Sequence, residues 1–164
     1  MGTLDNLKNA FAGESQANRK YLAYAKKADQ ENLPGIAKLF RAAAQAETVH
    51  ALAHLRAMGG IQDTVTNLKD AVNGENFEFS KMYPPYVDEA KKEGQAAAER
   101  SFAFAMAVEK THFDLYSAAL DAVQKGSDIC SKKFYVCPIC GHTVADGHPD
   151  KCPVCGSLKW EEVV

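Results

Sequence analysis

The sequence predicts an all-α four-helix bundle followed by a small metal-knuckle domain, and three observations predict it. Four long stretches between residues 4 and 125 carry apolar residues at alternating steps of three and four, the spacing that puts side chains on one face of a helix. A Glu followed by a Glu-x-x-His occurs twice, at nearly constant offset. Two Cys-x-x-Cys pairs lie in a C-terminal segment of different composition.

The first helix is expected to present Leu4, Leu7, Phe11, Glu14, Asn18, Tyr21, Ala25 and Ala28 on one stripe. Glu14 therefore points where a core should be. Asn32-Leu33-Pro34-Gly35 interrupts the pattern, and Pro34 suits the first turn of a second helix. That helix continues through Ile36, Leu39, Ala43, Glu47, His50 and Ala57 until Gly59-Gly60. Asp63 or Thr64 can cap a third, whose stripe is Val65, Leu68, Val72, Glu75, Phe79, Met82 and Tyr86, with Glu78 one turn from Glu75. Pro84 and Pro85 remove two backbone donors, so a kink or break is expected there before the helix ends near Gly94. The fourth stripe is Ala98, Phe102, Ala105, Glu109, His112, Tyr116, Ala119 and Val123, with Gly126 as its C-terminal cap.

The helical part repeats itself. Gly13-Glu14 recurs as Gly74-Glu75 after 61 residues, and Glu47-x-x-His50 recurs as Glu109-x-x-His112 after 62. A lone Glu-x-x-His is weak evidence for a metal, because a histidine on an apolar face is usually a satisfied core residue. Two at repeat spacing, with a carboxylate from each remaining helix, reproduce the donor arrangement of di-metal carboxylate bundles. Charge supports the same reading: Glu14, Glu47, Glu75, Glu78 and Glu109 converge on one expected interior and no Lys or Arg occupies the stripes. Buried unpaired carboxylates cost several kcal/mol each, so they call for protons or metal cations. Carboxylate oxygen with imidazole suits iron or manganese.

In the C-terminal segment, Cys137-x-x-Cys140 is followed after eleven residues by Cys152-x-x-Cys155, a spacing that sets four thiolates tetrahedrally around one ion. Spacing alone does not separate iron from zinc. Phe134, Tyr135 and Trp160 are expected to form a small aromatic core, His142 and His148 to be surface residues, and Cys130 to be a free thiol. The domain division expected is 1–126 for the bundle, 127–133 for a linker and 134–164 for the knuckle domain.

Composition narrows the partners. A formal charge of -2 with 24% charged residues gives no reason to expect nucleic acid or an anionic membrane. No apolar run reaches the roughly 18 residues of a membrane span and the N-terminus lacks a signal pattern. Together with metal-type cysteine pairs this indicates a cytoplasmic protein.

Ala10-Phe11-Ala12-Gly13-Glu14-Ser15-Gln16-Ala17, Glu47-x-x-His50, Gly74-Glu75-x-x-Glu78, Met82-Tyr83-Pro84, Glu109-x-x-His112 and the two cysteine knuckles closely resemble the rubrerythrin family across essentially the whole chain. The resemblance implies a ferritin-like di-iron bundle and a rubredoxin-like domain holding one more iron, for which zinc can substitute. It implies reduction of hydrogen peroxide to water in oxidative-stress defence, with electrons relayed through the four-cysteine iron from a reduced carrier, rubredoxin or an NAD(P)H-dependent reductase. By the same resemblance Glu47 and Glu109 are bridging ligands and Glu14 and Glu75 terminal ones. His50 and Glu78 alternate on one iron, and His112 is the fixed histidine of the other. Tyr21 and Tyr83 match tyrosines that hydrogen-bond carboxylate ligands. Two departures stand out: Pro85 adds a second proline, and the link between the second and third helices is short.

Two rival functions use the same residues. A ferroxidase or iron-handling protein would need no electron inlet, and a non-catalytic zinc-ribbon protein would leave seven aligned ligands without a task. The short link also predicts a homodimer with exchanged hairpins. Only 24 residues separate His50 from Glu75, while helices two and three of a ferritin-like bundle run parallel. Joining them within one bundle would require roughly 30 Å, beyond the reach of the few link residues at about 3.5 Å each.

Overall fold

A computed structural model describes residues 2–131 and 133–163. Among the described residues five α-helices run α1 (Thr3–Gln30), α2 (Pro34–Ala57), α3 (Thr64–Phe77), α4 (Tyr83–Lys92) and α5 (Ala96–Gln124), and a π-helical segment, Glu78–Met82, joins α3 to α4 without interruption. Three short strands follow: β1 (Phe134–Val136), β2 (Thr143–Ala145) and β3 (Glu161–Val163). The chain divides into two compact units, Met1–Gln62 and Asp63–Val164. This division falls inside the helical region, and residues 125–133 join α5 to the sheet.

The first unit is a hairpin of α1 and α2. Asp5 reaches back to the Gly2 N–H at 3.1 Å, which satisfies one orphan donor at the start of α1. Pro34 occupies the first turn of α2. At the end of α2 the Gly60 N–H bonds Leu55 O at 2.9 Å and that of Gly59 bonds Arg56 O at 2.9 Å, which closes the helix in a Schellman turn. Gly59, at φ 68°, takes the left-handed position of this turn that favours glycine. The two helices meet along small residues: Ala25 and Ala28 of α1, Ala37, Ala44 and Ala51 of α2. Sevenfold spacing on α2 makes a continuous seam, and Ala44→Leu would overpack it at a cost of about 1–3 kcal/mol.

This seam corrects the expected stripe of α2. Leu39 is 64% exposed and Ile36 46%, because a two-helix hairpin has one line of contact and the alanines fill it. Leu22, Tyr24, Val49 and Leu52 are also exposed.

In the second unit α3, the π-segment and α4 pack antiparallel to α5. Asp63 caps α3, its Oδ1 accepting the Thr66 N–H at 3.0 Å; hydrogen bonds from the Thr66 hydroxyl and N–H hold the Asp63 carboxyl below its usual range. The prolines neither break nor end the helix. Pro84 and Pro85 sit in the first turn of α4, and the irregularity lies one turn earlier. Lacking N–H groups, they cannot bond the carbonyls of Ser80 and Lys81, and the backbone accommodates this by widening to i→i+5 spacing over Glu78–Met82. Ring pairs Phe79–Phe113 at 5.5 Å, Tyr86–Phe102 at 5.6 Å and Tyr83–Phe102 at 6.3 Å tie the segment to α5.

The sheet has order β2-β1-β3, both pairings antiparallel, with Tyr135 opposite Val144 and Glu162. Of the expected aromatic core, Tyr135 and Trp160 both pack on His148, Trp160 stacked at 5.1 Å, while Phe134 makes no ring contact among the described residues. His142 is not a surface residue. It is 9% exposed because strand β2 seats against α5, bringing its Nδ1 to 3.4 Å from Thr111 Oγ1.

Candidate metal centres

The cysteine site is built from two matching turns. In the first, the Cys137 N–H bonds His142 O at 2.9 Å and the Gly141 N–H bonds Cys137 O at 2.8 Å; in the second, Cys152 and Ser157 do the same at 2.8 Å and Gly156 and Cys152 at 2.9 Å. Gly141 and Gly156 have φ of 85° and 78°, the left-handed backbone that glycine adopts without strain. The four Sγ atoms lie within 4.8 Å of one another, with Cys137–Cys155 at 3.5 Å and Cys140–Cys152 at 3.6 Å. A tetrahedron with metal–sulfur bonds of about 2.3 Å has edges of roughly 3.8 Å, so the pocket fits one ion. Burial raises the Cys140 and Cys155 thiols. At Cys137 burial also opposes ionisation, but the N–H groups of Ile139 and Cys140 outweigh it and bring the thiol to about 7. Among the described residues no disulfide forms, and Cys130 is free and exposed.

Six of the seven predicted helical ligands form two groups of three, one per unit, and Glu78 lies outside the second group. In the first hairpin, ligand atoms of Glu14, Glu47 and His50 lie within 4.8 Å of one another, and His50 Nδ1 is 2.9 Å from Glu47 Oε2. Helical i,i+3 spacing creates that contact. Asn18, one turn from Glu14, braces the group: its Nδ2 donates to Ala44 O at 2.7 Å and to Thr48 Oγ1 at 2.8 Å. In the sequence Asn18 stands only as a member of the α1 stripe. A buried polar residue next to a ligand was the available signal.

In the second hairpin, Glu75, Glu109 and His112 form the corresponding group. His112 Nδ1 lies 2.9 Å from Glu109 Oε2 and 3.9 Å from Glu75 Oε1. Burial, then the hydrogen bond to Glu109 and the charges of Glu109 and Glu78, raise the Glu75 carboxyl to about 7. Glu78, on the π-segment, is raised by burial and then by Glu109, with His112 opposing. Burial and then Glu78, Glu109 and Glu75 also raise Tyr83. Carboxylates that resist ionisation beside one another, with the His112 imidazole among them, constitute a donor set suited to cations. Hard oxygen and imidazole fit iron.

Among the described residues neither the Tyr21 nor the Tyr83 hydroxyl bonds a ligand carboxylate. Tyr21 packs against Tyr24 at 6.3 Å and Phe40 at 6.2 Å, and Tyr83 faces the second carboxylate group only through its charge.

The second group has one further contact, which the sequence did not signal. His112 Nε2 lies 3.0 Å from Thr143 Oγ1 on β2, so the cysteine domain seats directly on the helix that carries His112.

Two carboxylate–histidine groups at repeat positions and a four-cysteine pocket can be set beside known proteins. The rubrerythrin family profile matches residues 5–120. The chain belongs to the rubrerythrin family. Rubrerythrin-2 of Clostridium acetobutylicum is 36% identical, over 96% of this chain and 93% of its own length. Nigerythrin of Nitratidesulfovibrio vulgaris is 38% identical, over 93% of this chain and 81% of its own. Among solved structures, fully reduced, all-ferrous nigerythrin matches with a TM-score of 0.58 at 32% identity, covering 99% of this chain and 87% of that one. The fold is therefore ferritin-like with a rubredoxin-like C-terminal part, and both donor sets fit the irons of a rubrerythrin. Rubrerythrins are di-iron proteins of oxidative-stress defence, which places this chain among oxidoreductases. Among the described residues no helix is long and apolar enough to cross a membrane.

Proposed function

We propose that the chain is a peroxidase that reduces hydrogen peroxide to water with electrons relayed through its four-cysteine iron. The observation that carries this reading is the seating of the cysteine domain on α5 at His112. An electron inlet beside the carboxylate group serves a reductase, whereas iron oxidation requires no external reductant.

Bound to the helical ligands, iron would supply Lewis acidity and two electrons per peroxide. Glu47 and Glu109 are assigned as bridges, Glu14 and Glu75 as terminal ligands, and His50 and Glu78 as alternatives on one ion. Two protons complete the conversion of one peroxide to two waters. Tyr83, raised above its usual value by burial and the neighbouring carboxylates, stays a hydrogen-bond donor beside the group. Electrons come from a reduced carrier, rubredoxin or an NAD(P)H-dependent reductase, in the cytoplasm.

The working form in this reading is a homodimer in which the first hairpin of one copy meets the second hairpin of the other. Three observations support it: the ligands split three and four between the two units, the first hairpin leaves large apolar residues exposed, and only residues 58–63 connect α2 to α3. The test of function is to mix anaerobic, fully reduced protein with peroxide and, separately, with dioxygen. Much faster oxidation by peroxide is expected. Equal rates, or faster reaction with oxygen, would overturn the assignment.

A further inference from the structure

His50 and His112 occupy matching repeat positions, and both turn Nδ1 toward a glutamate at 2.9 Å. Their other nitrogens differ. Among the described residues the His50 ring makes only its Glu47 contact, and its side chain is 55% exposed. The His112 ring is held from both sides, by Glu109 at Nδ1 and by Thr143 at Nε2.

Hydrogen-bond arithmetic fixes the polarity of the second contact. A threonine hydroxyl has one proton, and that of Thr143 is donated to Gly141 O at 3.0 Å. Toward His112 it must accept. Nε2 therefore carries a proton, and Nδ1 is the nitrogen left to ligate. A metal-bound histidine normally donates its second N–H to a carboxylate, carbonyl or water, which sets its tautomer and ring angle. Here the acceptor is a side chain of the other domain. Its own anchor, the Gly141 carbonyl, follows Cys140 directly in a turn that Gly141 holds at φ 85°.

We propose that Thr143 is the positioning residue for His112 and the hydrogen-bonded link through which the cysteine site serves the carboxylate group on its own chain's α5. The link runs Cys140, Gly141 carbonyl, Thr143 hydroxyl, His112 imidazole. It deepens the peroxidase reading and rests on it for the electron's direction: Cys137, Cys140, Cys152 and Cys155 would hold the iron that gives the electron up, and His112 would ligate the iron that takes it. One electron moves, and no proton need leave the chain of hydrogen bonds. It also gives a physical cause for the unequal assignment of the histidines, since the anchored ring is the fixed ligand and the unanchored one is free to yield its place to Glu78.

The test compares wild type, Thr143→Val, which keeps the shape and loses the hydroxyl, and Thr143→Ser, which keeps the hydroxyl. In full-length, zinc-loaded protein with labelled histidine, the His112 Nε2–H is expected as a slowly exchanging NMR signal in wild type and T143S. In T143V it should disappear or exchange much faster. In iron-loaded, fully reduced protein mixed with peroxide, growth of the ferric tetrathiolate absorbance should slow by about 10–100-fold in T143V and recover in T143S. The resting visible spectrum shows whether the cysteine site is intact. An unaltered Nε2–H in T143V would overturn the positioning role, and an unaltered rate of cysteine-iron oxidation would overturn the link. Wild-type protein that ignores peroxide would defeat the peroxidase reading instead, and the proton-exchange comparison would still decide the role of Thr143.

Discussion

The first and second hairpins contain the same ligand pattern 61–62 residues apart, yet the structure treats them differently. Where the second has Glu78, the corresponding position of the first is Ala17. The second hairpin carries a π-segment, four interacting acid–imidazole side chains and an anchored histidine; the first has a regular hairpin, three ligands and an exposed histidine. Repetition explains how two irons acquire equivalent basic ligand sets. Divergence explains how they acquire different tasks, because one additional carboxylate and one additional hydrogen bond are enough to make one histidine replaceable and the other fixed.

Removing the electron inlet should have the largest effect. Cys137→Ser or Cys152→Ser is expected to abolish the red ferric tetrathiolate absorbance and most carrier-dependent turnover, while pre-reduced bundle still completes a single turnover with peroxide. Unchanged steady-state rates would mean that electrons bypass the cysteine site.

Next come the carboxylates that distinguish the hairpins. Glu78→Ala makes the second hairpin resemble the first, and should leave ferrous iron bound while weakening the ferric state about 10–100-fold. Glu75→Ala should weaken both. Iron content and spectra measured in each oxidation state separate these outcomes, and equal effects of the two changes would erase the proposed division.

Much of this was legible in the sequence because it depends on local spacing. Glu14, Glu47, His50, Glu75, Glu109 and His112 could be placed on helical faces, and Asp63, Gly59 and Gly126 could be recognised as helix boundaries, since i,i+3 geometry and capping are properties of short segments. Other features depend on partners distant in the chain. The alanine seam of α2 is hidden in the sequence because larger apolar residues dominate any periodic pattern, although small ones allow the closest approach. The π-segment appeared before the prolines because a missing N–H acts on the carbonyl four residues upstream. Burial of His142 and the bond to Thr143 arise from contacts across 31 residues, and nothing local announces them.

A smaller effect is expected at the brace of the first hairpin. Asn18→Ala removes both donations to α2 and should cost about 1–2 kcal/mol, seen as a lower urea midpoint with unchanged slope. No change would show that Thr48 and the seam suffice. A pH effect is expected in the second hairpin alone. Because the Glu75 carboxyl rises from 4.5 to about 7 on folding, the folded metal-free chain binds more protons between those values. Its stability should therefore fall as pH rises from about 4.5 to about 7 and then level off. Thermal unfolding of metal-free protein across that window should show the decline, and Glu75→Gln should flatten it.

The most direct test of the account is complementation between chains with opposite defects. One chain carries Glu14→Ala and Glu47→Ala, the other Glu75→Ala and Glu109→Ala; they are co-expressed with different tags and the mixed dimer is isolated. With exchanged hairpins, one bundle combines both damaged halves and the other combines both intact halves. The mixed dimer should then hold one complete, peroxide-oxidisable di-iron centre, counted against its two tetrathiolate irons, while neither parent homodimer holds any. A mixed dimer with no di-iron centre, as expected if each bundle is made from a single chain, would contradict the account.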